Sequence, residues 1–204
     1  MNNIVIVDYG MGNLRSVQKA FERVGYAAAI SNDPNVVAEA DKIVLPGVGA
    51  FQDAIAKLRE SGLDQPILDQ LRADRPFFGI CLGLQLLFTT GHEDGTHAGL
   101  DFFQGDVVRF TDTPGLKIPH MGWNQLRVVR RPPPLEGLPA EGSVYFVHSY
   151  HVVPSDRAIV ATETDYPTPF VSAIWRGRTV ATQFHPEKSQ RVGLEMLRGF
   201  AEWR

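Results

Sequence analysis

The chain's single cysteine, Cys81, stands in the run Phe77-Phe78-Gly79-Ile80-Cys81-Leu82-Gly83. An apolar strand-like run entering Gly-x-Cys-x-Gly, with an apolar helical stretch behind it, is the pattern of a nucleophile elbow with cysteine in place of serine. Strand and helix approach so closely at such a turn that residues without a Cβ are needed on either side. The expectation is a thiol lifted above a sheet edge at a helix N-terminus, where the dipole favours thiolate. The N–H of Leu82 is then free to bind a developing oxyanion. Taken alone, the same residues also describe a small buried cysteine in a Gly-rich turn.

A base for that nucleophile is available in Phe184-His185-Pro186-Glu187. In extended chain, residues two apart face the same way, so His185 and Glu187 are expected to meet, and Pro186 stiffens the pair and keeps His185 out of the helical region. A surface histidine beside a solvated glutamate is the plainer account of that segment by itself. Together with the elbow, it makes a Cys81–His185–Glu187 triad the better one. Leu45-Pro46-Gly47-Val48-Gly49 ends another strand and offers backbone N–H groups, from Val48 and Gly49, as the second half of an oxyanion hole; an ordinary Gly-rich turn is the alternative.

Other segments carry less. Tyr9-Gly10-Met11-Gly12-Asn13, with Asp33 downstream, invites a dinucleotide-binding reading, but Arg15 occupies the third glycine position. His92-Glu93-Asp94-Gly95-Thr96-His97 lacks metal-ligand spacing and reads as a solvated loop. His148 and His151 flank Ser149-Tyr150, and strand alternation would send them to opposite faces, so that one of them can line a site, with plain packing as the alternative for either. No metal or cofactor site is indicated.

These groups must be held by something. Residues 4–7, 42–45 and 77–80 are continuous apolar runs, as in strands buried on both faces. Helical stripes follow them: Leu14, Val17, Phe21 and Val24 behind an Asn13 cap, then Phe51, Ile55 and Leu58, then residues 82–88. Residues 107–110, 125–129, 144–153, 158–162, 171–175 and 179–184 read as further strands, and Val192, Leu194, Leu197 and Phe200 mark a closing helix. The expected fold is α/β: a single domain over 1–204, with a mixed, mostly parallel sheet flanked by helices, flavodoxin-like. The chain has 204 residues, 44% of them hydrophobic, and a net charge of -3. That composition gives no electrostatic footprint for nucleic acid. One cysteine excludes an internal disulfide and suits a reducing compartment. No stretch is apolar and long enough to span a membrane, and the N-terminus lacks the marks of a signal peptide, so a cytoplasmic location is expected.

Six stretches together carry a resemblance. They are Asp8-Tyr9-Gly10-Met11-Gly12-Asn13-Leu14, Leu45-Pro46-Gly47-Val48-Gly49, Gly79-Ile80-Cys81-Leu82-Gly83-Leu84-Gln85, Pro119-His120-Met121-Gly122-Trp123-Asn124, Phe146-Val147-His148-Ser149-Tyr150 and Gln183-Phe184-His185-Pro186-Glu187-Lys188-Ser189. The chain resembles the class I, triad-type glutamine amidotransferases. The first and fourth stretches are similar to one branch of that family, the glutaminase subunits of the synthase that makes imidazole glycerol phosphate in histidine biosynthesis. The resemblance implies hydrolysis of L-glutamine to L-glutamate and ammonia by Cys81, His185 and Glu187. It implies an oxyanion hole from Leu82, Val48 and Gly49, and glutamine held by Gly47, Gln85, Ser149 and Tyr150. It further implies delivery of ammonia to a (βα)8-barrel cyclase partner across a face that includes Met11, Asn13, Met121, Trp123 and Lys188; Trp123 also reads as an ordinary core tryptophan. The alternatives are another cysteine hydrolase of the same broad fold, a triad-bearing binding scaffold, and the glutaminase subunit of a different synthase.

An electrophilic glutamine analogue is expected to add one mass equivalent to the chain, at Cys81, when the cyclase partner is present. Unmodified protein after such treatment would overturn the nucleophile assignment.

Overall fold

The apolar runs that frame the elbow are strands with no exposed side: Ile4–Val7 (β1), Lys42–Gly47 (β3) and Phe77–Cys81 (β4) are buried at every residue. The computed structural model describes residues 3–136 and 142–203. In chain order, its first half is β1, α1 (Leu14–Arg23), β2 (Ala28–Ser31), α2 (Pro34–Ala38), β3, α3 (Phe51–Glu60), α4 (Asp64–Arg72), β4 and the single turn α5 (Leu82–Gln85). The second half is β5 (Phe88–Gly91), β6 (His97–Ala98), β7 (Phe103–Arg109), β8 (His120–Gln125), β9 (Arg127–Val128), β10 (Ser143–His148), β11 (Tyr150–Pro154), β12 (Val160–Asp165), β13 (Pro169–Arg176), β14 (Thr179–Thr182) and α6 (Gln190–Glu202).

Among the described residues, β2-β1-β3-β4-β14 form a parallel core, and the main sheet continues through β13, β11, β7, β5 and β6. Every pairing beyond β14 is antiparallel except that of β5 with β7. This is the α/β fold with a mixed sheet that the alternating elements predict. Strand alternation divides the core between two faces. Ile4, Ile6, Val44, Phe78 and Ile80 pack against Phe21 of α1 and Leu197 and Phe200 of α6. Val5, Val7, Ile43, Leu45 and Phe77 pack against Phe51 and Leu58 of α3 and Ile67 and Leu71 of α4. Strands β8 and β10 form a separate two-stranded ribbon. Beneath it lies a third cluster with Phe146, Phe170 and Phe184. No helix among the described residues is long and apolar enough to cross a membrane.

Several elements differ from the sequence expectation. The helix expected over 82–88 stops at Gln85, and Phe88 opens strand β5. The backbone from Leu86 to Phe88 is claimed instead by residues distant in sequence: Leu100 donates to the Leu86 carbonyl, and Phe102 and Phe103 to that of Leu87. The strand expected over 144–153 is two strands in two sheets, broken at Ser149. The break resets the alternation, so His148 and His151 both lie against Phe110, at 5.2 and 4.8 Å between centroids. The strand expected over 125–129 begins earlier, at His120, and is interrupted at Leu126, which is buried. Strand β2 and helix α2 are short segments that the apolar pattern does not reveal, whereas α4, nine residues with Ile67 and Leu71 buried, carries an apolar stripe that the sequence reading passed over. Asn13 precedes α1, but its side chain accepts from the Ser16 hydroxyl, at 2.9 Å, and not from a backbone N–H. Asp33, the acidic residue of the dinucleotide reading, caps α2 by accepting from Asn35 N–H at 2.8 Å.

The register places Gly47 of β3 opposite Cys81 of β4, and Thr182 of β14 opposite Ile80. Three strand ends therefore converge where α5 leaves the sheet. A Cβ on Gly83 would overlap the Leu45 carbonyl oxygen, and one on Gly79 would stand 2.8 Å from the Ala181 Cβ and 2.9 Å from the Gly83 oxygen. Gly83→Ala is expected to cost about 3 kcal/mol or more in urea unfolding, because backbone has to move to admit one methyl group. A loss below about 1 kcal/mol would show that the elbow tolerates looser packing than its geometry indicates.

Candidate active site

Cys81 terminates β4 with φ 55° and ψ -107°, a left-handed value for a residue with a side chain. Such strain persists only where surrounding packing imposes it, and the close approach of Gly47, Gly79 and Gly83 supplies that packing. Helix α5 is one turn long, so its dipole is small and Cys81 depends on side chains for electrostatic support. The Leu82 N–H opens α5 and has no intrahelical acceptor.

His185 is reached from β14 through Gln183 and Phe184. Its N–H donates to the Tyr145 carbonyl at 3.0 Å, and its own carbonyl accepts from the Ser189 hydroxyl at 2.6 Å. The expected extended His-Pro-Glu segment is instead a 3-10 turn, Pro186–Lys188. The carbonyl of Pro186 meets Gly193 of α6 so closely that no Cβ fits there. That packing folds the turn, which still brings the pair together: His185 Nδ1 lies 2.8 Å from Glu187 Oε1, with both side chains buried. His185 Nε2 makes no formed hydrogen bond to a described residue, and Cys81 acts on the ring chiefly through its charge. Burial disfavours the imidazolium, but Cys81 and then Glu187 outweigh it and hold the His185 pKa up at about 10.

Cys81 and His185 open into one cavity of about 420 Å³, a size that suits a small metabolite. Val48, Gly49 and Leu82 line it on the elbow side, with Gln85, Ser149 and Tyr150 among the other walls. Val48 is exposed, and Gly49 has φ +99° with Met11 packed against it. Gly47 does not reach the wall. A Cβ there would overlap the Tyr9 hydroxyl and lie 2.9 Å from the Leu82 Cβ, so this glycine lets β3 pack under α5. Gln85 spends both hydrogens of its Nε2, on the Tyr150 carbonyl at 3.0 Å and on Gln183 Oε1 at 3.1 Å. Its Oε1 is left as an acceptor. Gln183 in turn places its Nε2 3.7 Å from the Cys81 sulfur. Of the surface residues singled out, Met121 and Trp123 project from β8, 63% and 49% exposed. Trp123 meets Tyr145 edge-on at 6.0 Å, and Lys188 Nζ lies 6.0 Å from the same ring.

A buried thiol, an imidazole and a carboxylate so arranged are suited to acyl transfer through a thioester. The family model for class-I glutamine amidotransferases matches residues 5–202. The chain belongs to that family. It is 56% identical to "Imidazole glycerol phosphate synthase subunit HisH" of Syntrophotalea carbinolica, over 98% of this chain and 99% of that one. It is 52% identical to the HisH of Geobacter sulfurreducens over the whole of both chains, and 53% identical to that of Aquifex aeolicus over 96% and 94%. Among solved structures, PurLQS from Thermotoga maritima superposes with a TM-score of 0.76 at 16% identity, covering 100% of this chain and 99% of that one. At that identity the superposition shows shared fold only. As a glutamine amidotransferase of the HisH branch, the chain is an enzyme.

The same cavity contains Glu93, Pro119 and Val147, which sequence reasoning missed, and His148, one of the two histidines that it left between lining a site and simple packing. Glu93 belongs to the loop read as solvated. Gly91 passes against the Phe51 ring, and this brings the Glu93 carboxylate to the first turn of α3, where Oε2 accepts from Phe51 N–H at 2.6 Å. Nothing local in the loop signals that contact. Gln183, fully buried, had a signal in its place two residues before His185.

A group whose folded pKa lies above its unfolded value contributes stability that is complete below about 6.5 and lost as pH rises toward about 10. NMR titration is expected to show the His185 imidazolium persisting above pH 8 in the wild type and titrating lower in Cys81→Ala. The wild type should also lose more unfolding free energy than Cys81→Ala between pH 7 and pH 10. Identical His185 titrations in the two proteins would mean that the thiol does not support the imidazolium.

Proposed function

We propose that the chain hydrolyses L-glutamine to L-glutamate and ammonia through Cys81, His185 and Glu187, and delivers the ammonia to a (βα)8-barrel cyclase subunit that makes imidazole glycerol phosphate. The observation that carries this is the buried 2.8 Å His185–Glu187 contact beside a thiol on a strained elbow, both opening into one cavity. Cys81 sulfur attacks the side-chain amide carbon, and the oxyanion is met by the N–H of Leu82 and backbone N–H groups of the Val48–Gly49 segment. His185 gives its Nε2 proton to the departing nitrogen as the C–N bond breaks, leaving a glutamyl thioester and ammonia. The neutral His185 then takes a proton from water as the water oxygen attacks the thioester; the C–S bond breaks, the sulfur leaves as thiolate beside the restored imidazolium, and the new glutamate carboxyl gives up its proton to solvent. Glu187 orients the ring through Nδ1 and stabilises its charged form.

The cavity offers complementary groups for the rest of the substrate. Glu93 presents a carboxylate to the glutamine α-ammonium, Gln85 presents its Oε1, and Ser149 and Tyr150 supply the opposite wall. Gly47 acts through packing. The curated relatives are named as subunits, and we assign the partner face to the exposed Met121 and Trp123, together with Met11, Asn13 and Lys188. Aromatic and methionine side chains of this kind are enriched at such interfaces.

With glutamine as nitrogen donor, the complex carrying Cys81→Ala is expected to lose product formation by at least about 10³-fold, while wild-type rates persist with ammonia. Glutamine-dependent turnover near wild type would overturn the mechanism. Loss of the ammonia-dependent reaction would overturn the separation of chemistry from partner binding.

A further inference from the structure

Between the β8–β10 ribbon and the cavity lies a buried polar chain that the chemistry above does not use. Its hydrogen bonds run in one direction. The Asn124 amide is fixed at both ends: Oδ1 accepts from Gln125 N–H at 2.8 Å, and Nδ2 donates to the Asp165 carbonyl at 3.0 Å. The same Nδ2 lies 3.2 Å from His120 Nε2, and His120 Nδ1 lies 3.2 Å from His148 Nε2. His148 Nδ1 lies 2.8 Å from the Tyr150 carbonyl oxygen.

A carbonyl only accepts, so His148 carries its proton on Nδ1. Burial lowers the His120 pKa to about 4. Burial, only partly offset by the bond to the Tyr150 carbonyl, lowers that of His148 to about 3. Each ring therefore holds one proton at neutral pH. His148 Nε2 is bare and accepts, so His120 donates from Nδ1 and accepts on Nε2 from Asn124. The fixed Asn124 amide demands the same direction independently. The His120 ring cannot turn freely, since it stacks on Tyr166 at 3.9 Å and on Phe146 at 4.7 Å, both at 23°. At the other end, the Tyr150 carbonyl is the one that Gln85 Nε2 uses, at 3.0 Å.

We propose that Asn124, His120 and His148 are positioning residues, a neutral strut that ties β8 to the Tyr150 carbonyl and the Gln85 amide, so that partner docking on β8 sets the affinity for glutamine. Strand alternation supplies the mechanics. His120 is buried and Asn124 half-buried, while Met121 and Trp123 point outward from the same six-residue strand. Any load on the outward pair shifts the inward pair, and each link of the strut passes the shift to the next. The inference rests on the reading that Met121 and Trp123 face the partner.

The first test is independent of any partner. Imidazole 15N NMR of the isolated chain at pH 7 is expected to show His120 and His148 both neutral and both protonated on Nδ1. An Nε2-protonated tautomer in either ring overturns the strut. The second test uses the complex with the barrel cyclase. His120→Phe keeps an aromatic ring in the stack and removes both hydrogen bonds; Asn124→Leu cuts the far link and leaves both histidines. Each is expected to raise the glutamine KM about tenfold, within the usual range for coupling between sites, with kcat held within about twofold. The double variant should be no worse than the poorer single one, as for links in series. Unchanged KM, or effects that multiply, overturns the strut. Partner affinity is measured alongside for Trp123→Ala. If that affinity equals the wild-type value, the partner-facing reading fails, and with it the coupling to docking.

Discussion

Strand β3 and the turn α5 approach so closely that the Leu45 carbonyl leaves no room for a side chain at Gly83. On the other flank, a Cβ on Gly79 would stand only 2.8 Å from that of Ala181 in β14. Everything at the site follows from this contact. It compresses the passage from β4 into α5 until Cys81 takes a left-handed backbone, which points its sulfur off the sheet edge and not along it. The strain is tolerable because three parallel strands, buried on both faces, hold the turn from below. Such sheets bind ligands outside the carboxyl ends of their strands, and Gly47, Cys81 and the approach to His185 are all carboxyl ends.

The second constraint is electrostatic. A one-turn helix lends little dipole, so the proposed thiolate depends on His185, and His185 depends on Glu187. Burying such a set is costly unless each charge is answered, and here the imidazole lies between two groups that favour its charged form. The neutral histidines nearby show the opposite solution. His120 and His148 are buried, their hydrogen-bond partners among the described residues include no carboxylate, and both stay uncharged. The active-site wall thus contains imidazoles held in contrary states by their neighbours alone, suited to proton transfer in one case and to fixed geometry in the other.

Much of this was legible in residue order. The Gly-x-Cys-x-Gly run announced the elbow because the missing side chains mark a close approach, although the groups approached, Leu45 of β3 and Ala181 of β14, lie far along the chain. The His-Pro-Glu spacing announced a paired imidazole and carboxylate, although the turn that joins them proved to be 3-10 and not extended, since α6 packs on Pro186. The unbroken apolar runs of β1, β3 and β4 announced a sheet covered on both sides. Where sequence reading misplaced a strand or a helix end, the cause was a partner elsewhere in the chain. Helix α5 ends early because the segment from Leu100 to Phe103 takes its carbonyls, and residues 144–153 divide because their two halves join different sheets.

By itself, then, the sequence determined the class of fold and singled out the groups proposed to react, because both leave marks in residue order: periodicity of apolar residues, absence of a Cβ, pairing at fixed spacing. Only the tertiary structure decided what surrounds those groups. Glu93 enters the cavity because Gly91 passes against Phe51. Gln183 reaches Cys81 because β14 is the neighbour of β4. The direction of the Asn124–His120–His148 chain is set by two carbonyls, those of Asp165 and Tyr150, which nothing in the sequence places at its ends. Apart from the His148–Tyr150 link, which spans two residues at the break between β10 and β11, these are contacts between segments tens of residues apart, and their hydrogen-bond geometry exists only once the sheet has brought the segments together.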